Sequence, residues 1–300
     1  MSDLVHDHSR WGAGDQMGAA NLITAETRLA ALRLVNEGRL YDLSQVIETG
    51  APRFPPRQTP YLIFSSATSR ETGRFLAEMG ATNGPAPNLE RVEMTMHVGT
   101  HIDALGHFAK GETMYNGLHP DEVVTDTGLA KLGIEQALPI ITRGVCLDVS
   151  GLDGGEHLES GRSVTRADLE RVLEKAGLEL QAGDMVCIHT GWGRFFMTDN
   201  DRYTNGEPGI DEEAARWLTG QDVVAIGCDN MAVEVMPNPQ HPKVIFPVHL
   251  HTLVEAGVYL VENMMLSQLA REGVTAFCLI LLPVKFKGAT GCPVRPVAMI

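Results

Sequence analysis

MHVGTHIDALGHF, residues 96–108, gathers three of the chain's eleven histidines and one aspartate around a Gly-Thr pair. Whether it is helix or strand decides what it can do. As a helix, His97 and His101 share a face but Asp103 lies about 200° around from His101. As a strand, His97, Gly99, His101 and Asp103 all point one way. Val98, Gly99 and Thr100 favour the extended form. His101 and Asp103 then stand roughly 6.6 Å apart along the backbone, within reach of one cation. His97 is harder to place, since ideal strand puts it about 13 Å from His101. Gly99 answers this by permitting a bulge or bend that swings His97 inward. His107 follows Ala-Leu-Gly, a turn that brings it back over the same place. A single strand histidine is ordinarily a hydrogen-bonded core residue, whereas three with an intervening carboxylate form a metal-ligand pattern. Imidazoles and carboxylates without a thiolate suit Zn²⁺, Mn²⁺ or Fe²⁺.

Working outward, strand and helix signals interleave along the chain. TAETRLAALRLVNEG (24–38) predicts a helix capped by Thr24, with Leu29, Leu32 and Leu34 inward and Gly38 as its stop. Before it, RWGAGDQMGAANLI carries Trp11 and Met17 and reads as an ordered arm, while His6-x-His8 reads as a loose end. YDLSQVIE (41–48) and RVEMTMHV (91–98) alternate as strands do, and the prolines of APRFPPRQTP (51–60) forbid regular structure. SVTRADLERVLEKAG is bounded by Thr165 and Gly177, with Asp168 placed to complete a capping box. VCLDVSG, DMVCIHTG, DVVAIGCD, GVYLVEN and FCLILLPV read as strands, EEAARWL and LSQLAREG as helices. The pattern predicts a single α/β domain over 41–300, a mixed sheet or barrel flanked by helices, preceded by an arm and helix over 1–40.

Composition narrows the function classes. The formal charge of −14 repels nucleic acid and anionic membranes. Cys146, Cys187, Cys228, Cys278 and Cys292 are odd in number and mostly set in apolar runs, as expected of buried thiols in the cytoplasm. FCLILLPV (277–284), the longest apolar run, is too short to span a bilayer. GLDGGE and GATGC lack the Gly-Lys-Ser/Thr of a phosphate loop.

HVGTHIDALGH resembles the H-x-G-T-H-x-D-x-x-x-H signature of the cyclase-family metal hydrolases, among them bacterial kynurenine formamidases, isatin hydrolases and some dienelactone hydrolases. YDLSQVIETGAPRFP, GDMVCIHTGW, FPVHLHTLVEAGVYLVEN and LLPVKFKGATGCPVRPVAMI resemble further family blocks, so the likeness runs through most of 41–300. It implies the swivelling β/β/α fold, assembly as a homodimer or homotetramer, and one or two divalent ions, Mn²⁺ or Zn²⁺. It further implies His97, His101 and Asp103 as metal ligands, with Asp103 able to bridge two ions, and His107 as catalytic acid/base. His249 matches the late histidine and Glu262 the late carboxylate; His251 competes with His249, and the family spacing favours the latter. Phe54 falls where the family often carries a pocket tryptophan, and Leu105 stands where many formamidases have proline.

Other residues carry weaker signals. Trp192 is a candidate for the substrate pocket, and Asp229, Asn230 and Glu234 for partners holding a ligating imidazole. The implied reaction is hydrolysis of an amide or ester carbonyl in a small substrate: an aryl formamide of the kind met in tryptophan catabolism, a cyclic amide or imide, or a lactone. Two rival readings stand beside it. His101-x-Asp103 with a distant histidine also fits the facial triad of a non-haem iron oxygenase, though that leaves His97 and Glu262 idle. A metal-containing binding protein without turnover fits the ligands but not His107.

Overall fold

The strand at the heart of the motif forms, three residues long, and its neighbours explain its place. The computed structural model describes residues 8–54 and 56–300, so His6 lies outside the described residues. The main strands are β1 (Leu40–Asp42), β2 (Leu62–Ala67), β3 (Leu89–Glu93), β4 (His101–Asp103), β5 (Ile140–Asp148) and β6 (Met185–His189). They continue with β7 (Ala225–Cys228), β8 (Tyr259–Glu262), β9 (Ala276–Leu281), β10 (Gly291–Pro293) and β11 (Val297–Met299). Nine of them build one curled mixed sheet in the order β1-β11-β9-β5-β6-β7-β8-β4-β10, the half-barrel expected of a mixed sheet flanked by helices. Its middle, β5 to β8, is parallel and its two wings are antiparallel. MVCIH and AIGC are buried at every residue, as strands covered on both faces must be.

The principal helices are α1 (Ala25–Leu32), α2 (Ser69–Glu78), α3 (Arg166–Ala176), α4 (Glu212–Thr219), α5 (247–256, of which Leu250–Ala256 widens to a π-helix) and α6 (Ser267–Glu272). α3 follows its sequence signals: Thr165 and Asp168 form the capping box, and Gly177 ends the helix in the left-handed region. α1 does not. It stops at Leu32, six residues before Gly38, and the residue it buries is Ala31. Leu29 and Leu32 are about half exposed, 54% and 50%, because the helix approaches the sheet on its small-residue side.

The arm packs on its own molecule. Ala19 and Ala20 are buried in the main core, and the Ala19 N–H donates to the Gly257 carbonyl at 2.8 Å. The Tyr259 hydroxyl donates to the Met17 carbonyl. RVEMTMHV is strand only as far as Glu93, since the chain must turn through 96–100 to enter β4. Residues 62–93 form an excursion, the antiparallel ribbon β2–β3 with α2 between, whose ribbon and helix bury no residue. All five cysteines are free and buried, and no described helix is long and apolar enough to cross a membrane.

Candidate metal centre

Register assembles the site. Within β4, His101 and Asp103 are two residues apart and point to the same side of the sheet. β8 runs antiparallel beside it with Glu262 paired to His101, so the glutamate faces the same side as its cross-strand neighbour. On the other flank Gly291 pairs with Asp103. A Cβ at Gly291 would come within 2.8 Å of the His97 ring, so this glycine leaves the space His97 occupies.

Gly99 makes the bend that the strand reading required. Its φ is +69°, and a side chain there would meet Ile47 at 2.5 Å. The turn is fastened by Asn263, whose amide donates to the Gly99 carbonyl and whose own carbonyl accepts from Thr100 Oγ1. Its product is convergence: His97 Nδ1 lies 2.8 Å from Asp103 Oδ1, and His97 Nε2 lies 2.8 Å from Thr290 Oγ1. His107 stacks on His97 with ring centroids 4.0 Å apart. His101 Nδ1 donates to the Gly99 carbonyl, which directs Nε2 inward, 3.1 Å from Glu262 and 3.4 Å from Asp103.

His249 arrives from α5. The backbone N–H groups of Val248 and His249 donate to the Glu234 carboxylate at the start of that helix. The same carboxylate takes His249 Nδ1 at 2.5 Å. His249 Nε2 is thereby aimed at Glu262, 3.1 Å away, and at Asp103 Oδ2, 3.6 Å away. His251 turns elsewhere, bonding Thr219 and Glu255. Of the two late histidines, the structure brings only His249 to the site.

Buried charge sets the electrostatics. Burial lowers the His101 and His249 imidazoles, but carboxylate partners outweigh it and raise each to about 10: Asp103 and Glu262 for His101, Glu234 and Glu262 for His249. Burial raises the Asp103 carboxyl, yet the imidazoles of His107, His101 and His97 hold it well below the carboxylate range. Burial dominates at His107 and lowers it to about 3, so that ring is neutral. Protons on two imidazoles thus stand in for the positive charge that Asp103 and Glu262 demand.

A divalent cation fits this arrangement. Among the described residues three buried side-chain atoms make no hydrogen bond, and two of them, His101 Nε2 and Asp103 Oδ2, belong to the converging set, with charged neighbours at 3.1 and 3.6 Å; the third, His157 Nδ1, lies outside it. Ligand atoms within 4.8 Å of one another form two groups, His97–Asp103–His107 and His101–Asp103–Glu262, sharing the aspartate. Histidine and carboxylate donors with hydrogen-bonded outer partners are what such an ion requires.

A cavity of about 270 Å³ opens in front, lined by Phe54, His97, His107, Phe108, Phe246 and His249 among others. Phe54 is where the sequence placed it. Trp192 is not among the lining residues: it is 1% exposed, packed with Val98, Phe196, Tyr203 and Met231, its indole N–H given to the Tyr203 carbonyl. Asp229 also does not reach the ligands. Its carboxylate accepts from the backbone of Thr190, Gly191 and Gly193 and from the Thr190 hydroxyl, and the support expected of it comes from Glu234. Thr290, Phe108 and Phe246 were not anticipated, because only the folded register carries Thr290 beside His97 and a left-handed turn at Phe246 presents its ring.

Comparison with known proteins agrees with this fold. The family model "Cyclase" (Putative cyclase) matches residues 41–235, about two thirds of the chain, which belongs to that family. Cyclase-like protein 1 of Oryza sativa subsp. japonica is 23% identical over 287 residues, 95% of this chain and 86% of the relative. The isatin hydrolase of Roseibium aggregatum is 24% identical over 288 residues, 92% of this chain and 97% of that protein. A crystal structure described as a novel cyclase superposes with a TM-score of 0.87 at 31% identity, covering 98% of this chain and 99% of the other.

Proposed function

We propose that the protein is a metal-dependent hydrolase that cleaves the carbonyl of an amide, formamide or lactone in a small aryl or cyclic substrate. The observation that carries this is the convergence of ligand atoms from His101, Asp103 and Glu262, with His101 Nε2 and Asp103 Oδ2 making no hydrogen bond, in a site with neutral His107 at its cavity wall. His97, His101, Asp103, His249 and Glu262 would hold Mn²⁺ or Zn²⁺, with Asp103 common to two positions if two ions bind. When bound, such an ion supplies Lewis acidity, which brings a water pKa of about 15.7 down toward 7.

The chain's own residues do the rest. His107, unprotonated, takes a proton from the attacking water as the water oxygen bonds to the carbonyl carbon. The C–N or C–O bond then breaks, and the imidazolium returns its proton to the departing nitrogen or oxygen. Acid and amine or alcohol result, or one ring-opened product from a cyclic substrate. Phe54, Phe108 and Phe246, which line the cavity, would flank the substrate's ring and shield the carbonyl from bulk water. Glu262 stands 3.1 Å from both His101 and His249, which favours this reading over a facial triad, where it would have no role. Conservation of the cyclase fold with isatin hydrolase as a relative supports the same class.

The test is a panel of N-formylkynurenine, isatin and unsaturated lactones offered to protein reconstituted with Mn²⁺ or Zn²⁺. Turnover of at least one without oxygen uptake is expected. His107→Ala is expected to retain metal and lose about 100-fold or more in kcat. Wild-type rates in that variant remove His107 from the mechanism, and oxygen-dependent turnover overturns the hydrolase.

A further inference from the structure

The cavity in front of the metal centre has apolar aromatic walls and one arginine among its described lining residues, Arg57. The rings of Phe54 and Phe108 both lean on Phe246, with centroids 5.6 and 5.3 Å away. This gives a slot suited to a flat ring. Arg57 is exposed and has no hydrogen-bond or ion-pair partner among the described residues. Some arginines are matched to carboxylates, as Arg143 is to Asp184, Arg162 to Asp168 and Arg216 to Glu255, and others such as Arg28, Arg33 and Arg70 have no ion pair among the described residues; Arg57 is set apart by lining the cavity in front of the metal centre. In a chain of net charge −14, a cation lining the cavity in front of the metal centre calls for a reason.

The loop that carries it is built to keep its shape. Pro52, Pro56 and Pro60 limit its backbone freedom. The Phe54 N–H donates to Gln58 Oε1 at 2.7 Å, Arg53 Nε donates to the Gln58 carbonyl at 2.9 Å, and the Gln58 N–H donates to the Phe54 carbonyl at 3.3 Å. The loop is closed on itself, so Phe54 and the base of Arg57 are offered to the cavity together. Arg57 spends none of its donors on holding the loop.

We infer that Arg57 selects for substrates that carry a carboxylate on the ring, at the side away from the scissile carbonyl. This rests on the hydrolase reading and narrows its substrate class to aryl or cyclic amides and esters bearing an anion. A guanidinium offers a fork of N–H donors to a carboxylate, and near an apolar wall such a pair is stronger than in open water. The net negative charge of the chain disfavours anions on the whole, so a cation within the cavity wall favours the anionic substrate there.

Two measurements test it. The first uses the Mn²⁺- or Zn²⁺-loaded enzyme on a matched pair, 4-formamidobenzoate and formanilide. In Arg57→Ala the ratio of their kcat/KM values is expected to fall roughly 10- to 100-fold, the loss appearing in KM for the carboxylate, with partial recovery in Arg57→Lys. An unchanged ratio overturns the inference. The second does not depend on turnover: benzoate binding to metal-free protein, followed by calorimetry. Binding that weakens about 10-fold or more in Arg57→Ala, and also weakens with added salt, supports the inference even if neither formamide is hydrolysed. Equal affinity in wild type and variant, or no benzoate binding by wild type, overturns it.

Discussion

Two clusters of histidine and aspartate sit on the same sheet and are built to opposite ends. One joins β4, β8 and α5: His101, Asp103, Glu262 and His249. The other lies where the parallel strands β5, β6 and β7 end: Asp148, His189 and, just past β7, Asp229. In the second, every carboxylate is answered by the protein. Asp229 accepts four hydrogen bonds from residues 190–193. Asp148 accepts from Ser150 and from His189 Nδ1 at 2.8 Å. In the first, His101 Nε2 and Asp103 Oδ2 make no hydrogen bond, and their charged neighbours stand at 3.1 Å (Glu262) and 3.6 Å (His249). Residue type alone does not separate the clusters; the state of their hydrogen bonds does. Buried polar atoms without a hydrogen bond are uncommon, and two within one converging set of ligand atoms point to a cation there.

Substitutions can break that contrast, most of all at the shared ligand. Asp103→Ala is expected to weaken Mn²⁺ or Zn²⁺ binding by more than about 100-fold and to remove turnover, measured by calorimetry and by product formation. Next comes Glu234→Gln, which keeps the shape but loosens the hold on His249 Nδ1. A roughly 10- to 100-fold loss of metal affinity is expected, with the fold retained. Gly99→Ala acts through the backbone: its φ of +69° and the approach to Ile47 predict a loss of about 1–3 kcal/mol in chemical denaturation.

The smallest effect belongs to the second cluster. Asp148→Asn is expected to cost less than about 1 kcal/mol, since that side chain is 44% exposed, and to leave metal affinity unchanged. Burial raises the Asp148 carboxyl, but His189 and Ser150 outweigh it and lower it to about 2; burial lowers His189, and Asp148 and Asp229 raise it. The carboxylate's contribution is present above the ordinary aspartate value of 3.8 and fades as pH falls toward 2. The imidazole's is present below its ordinary 6.5 and fades as pH rises through its elevated value. Thermal shifts between wild type and variant are therefore expected to be largest between about pH 4 and 6.5. A metal-affinity loss in Asp148→Asn would erase the distinction drawn between the clusters.

How much of this was legible in the sequence follows from what kind of cause each feature has. The bend at Gly99, the shared face of His101 and Asp103 and the caps of α3 are local, so alternation, glycine and capping signals revealed them. Glu262 and His249 came from the family resemblance, because their approach depends on β8 pairing with β4 in one register. Thr290 and Glu234 act across the fold: Thr290 gave no signal, and Glu234 stood in the sequence as only one of several weak candidates. Trp192 and Asp229 misled for a related reason. Both follow strand ends, where functional side chains often stand, but Trp192 found a core and Asp229 a turn to brace. Leu29 and Leu32 show that periodicity names a face without saying which neighbour it meets.

The most direct test of the central claim is metal stoichiometry in purified wild-type protein, dialysed against Mn²⁺ or Zn²⁺ and analysed by elemental analysis with pH recorded during titration. About one to two ions per chain are predicted, with protons released as His101 and His249 exchange their raised-pKa protons for the cation. Less than about a tenth of an ion per chain, with no proton release, would contradict the account.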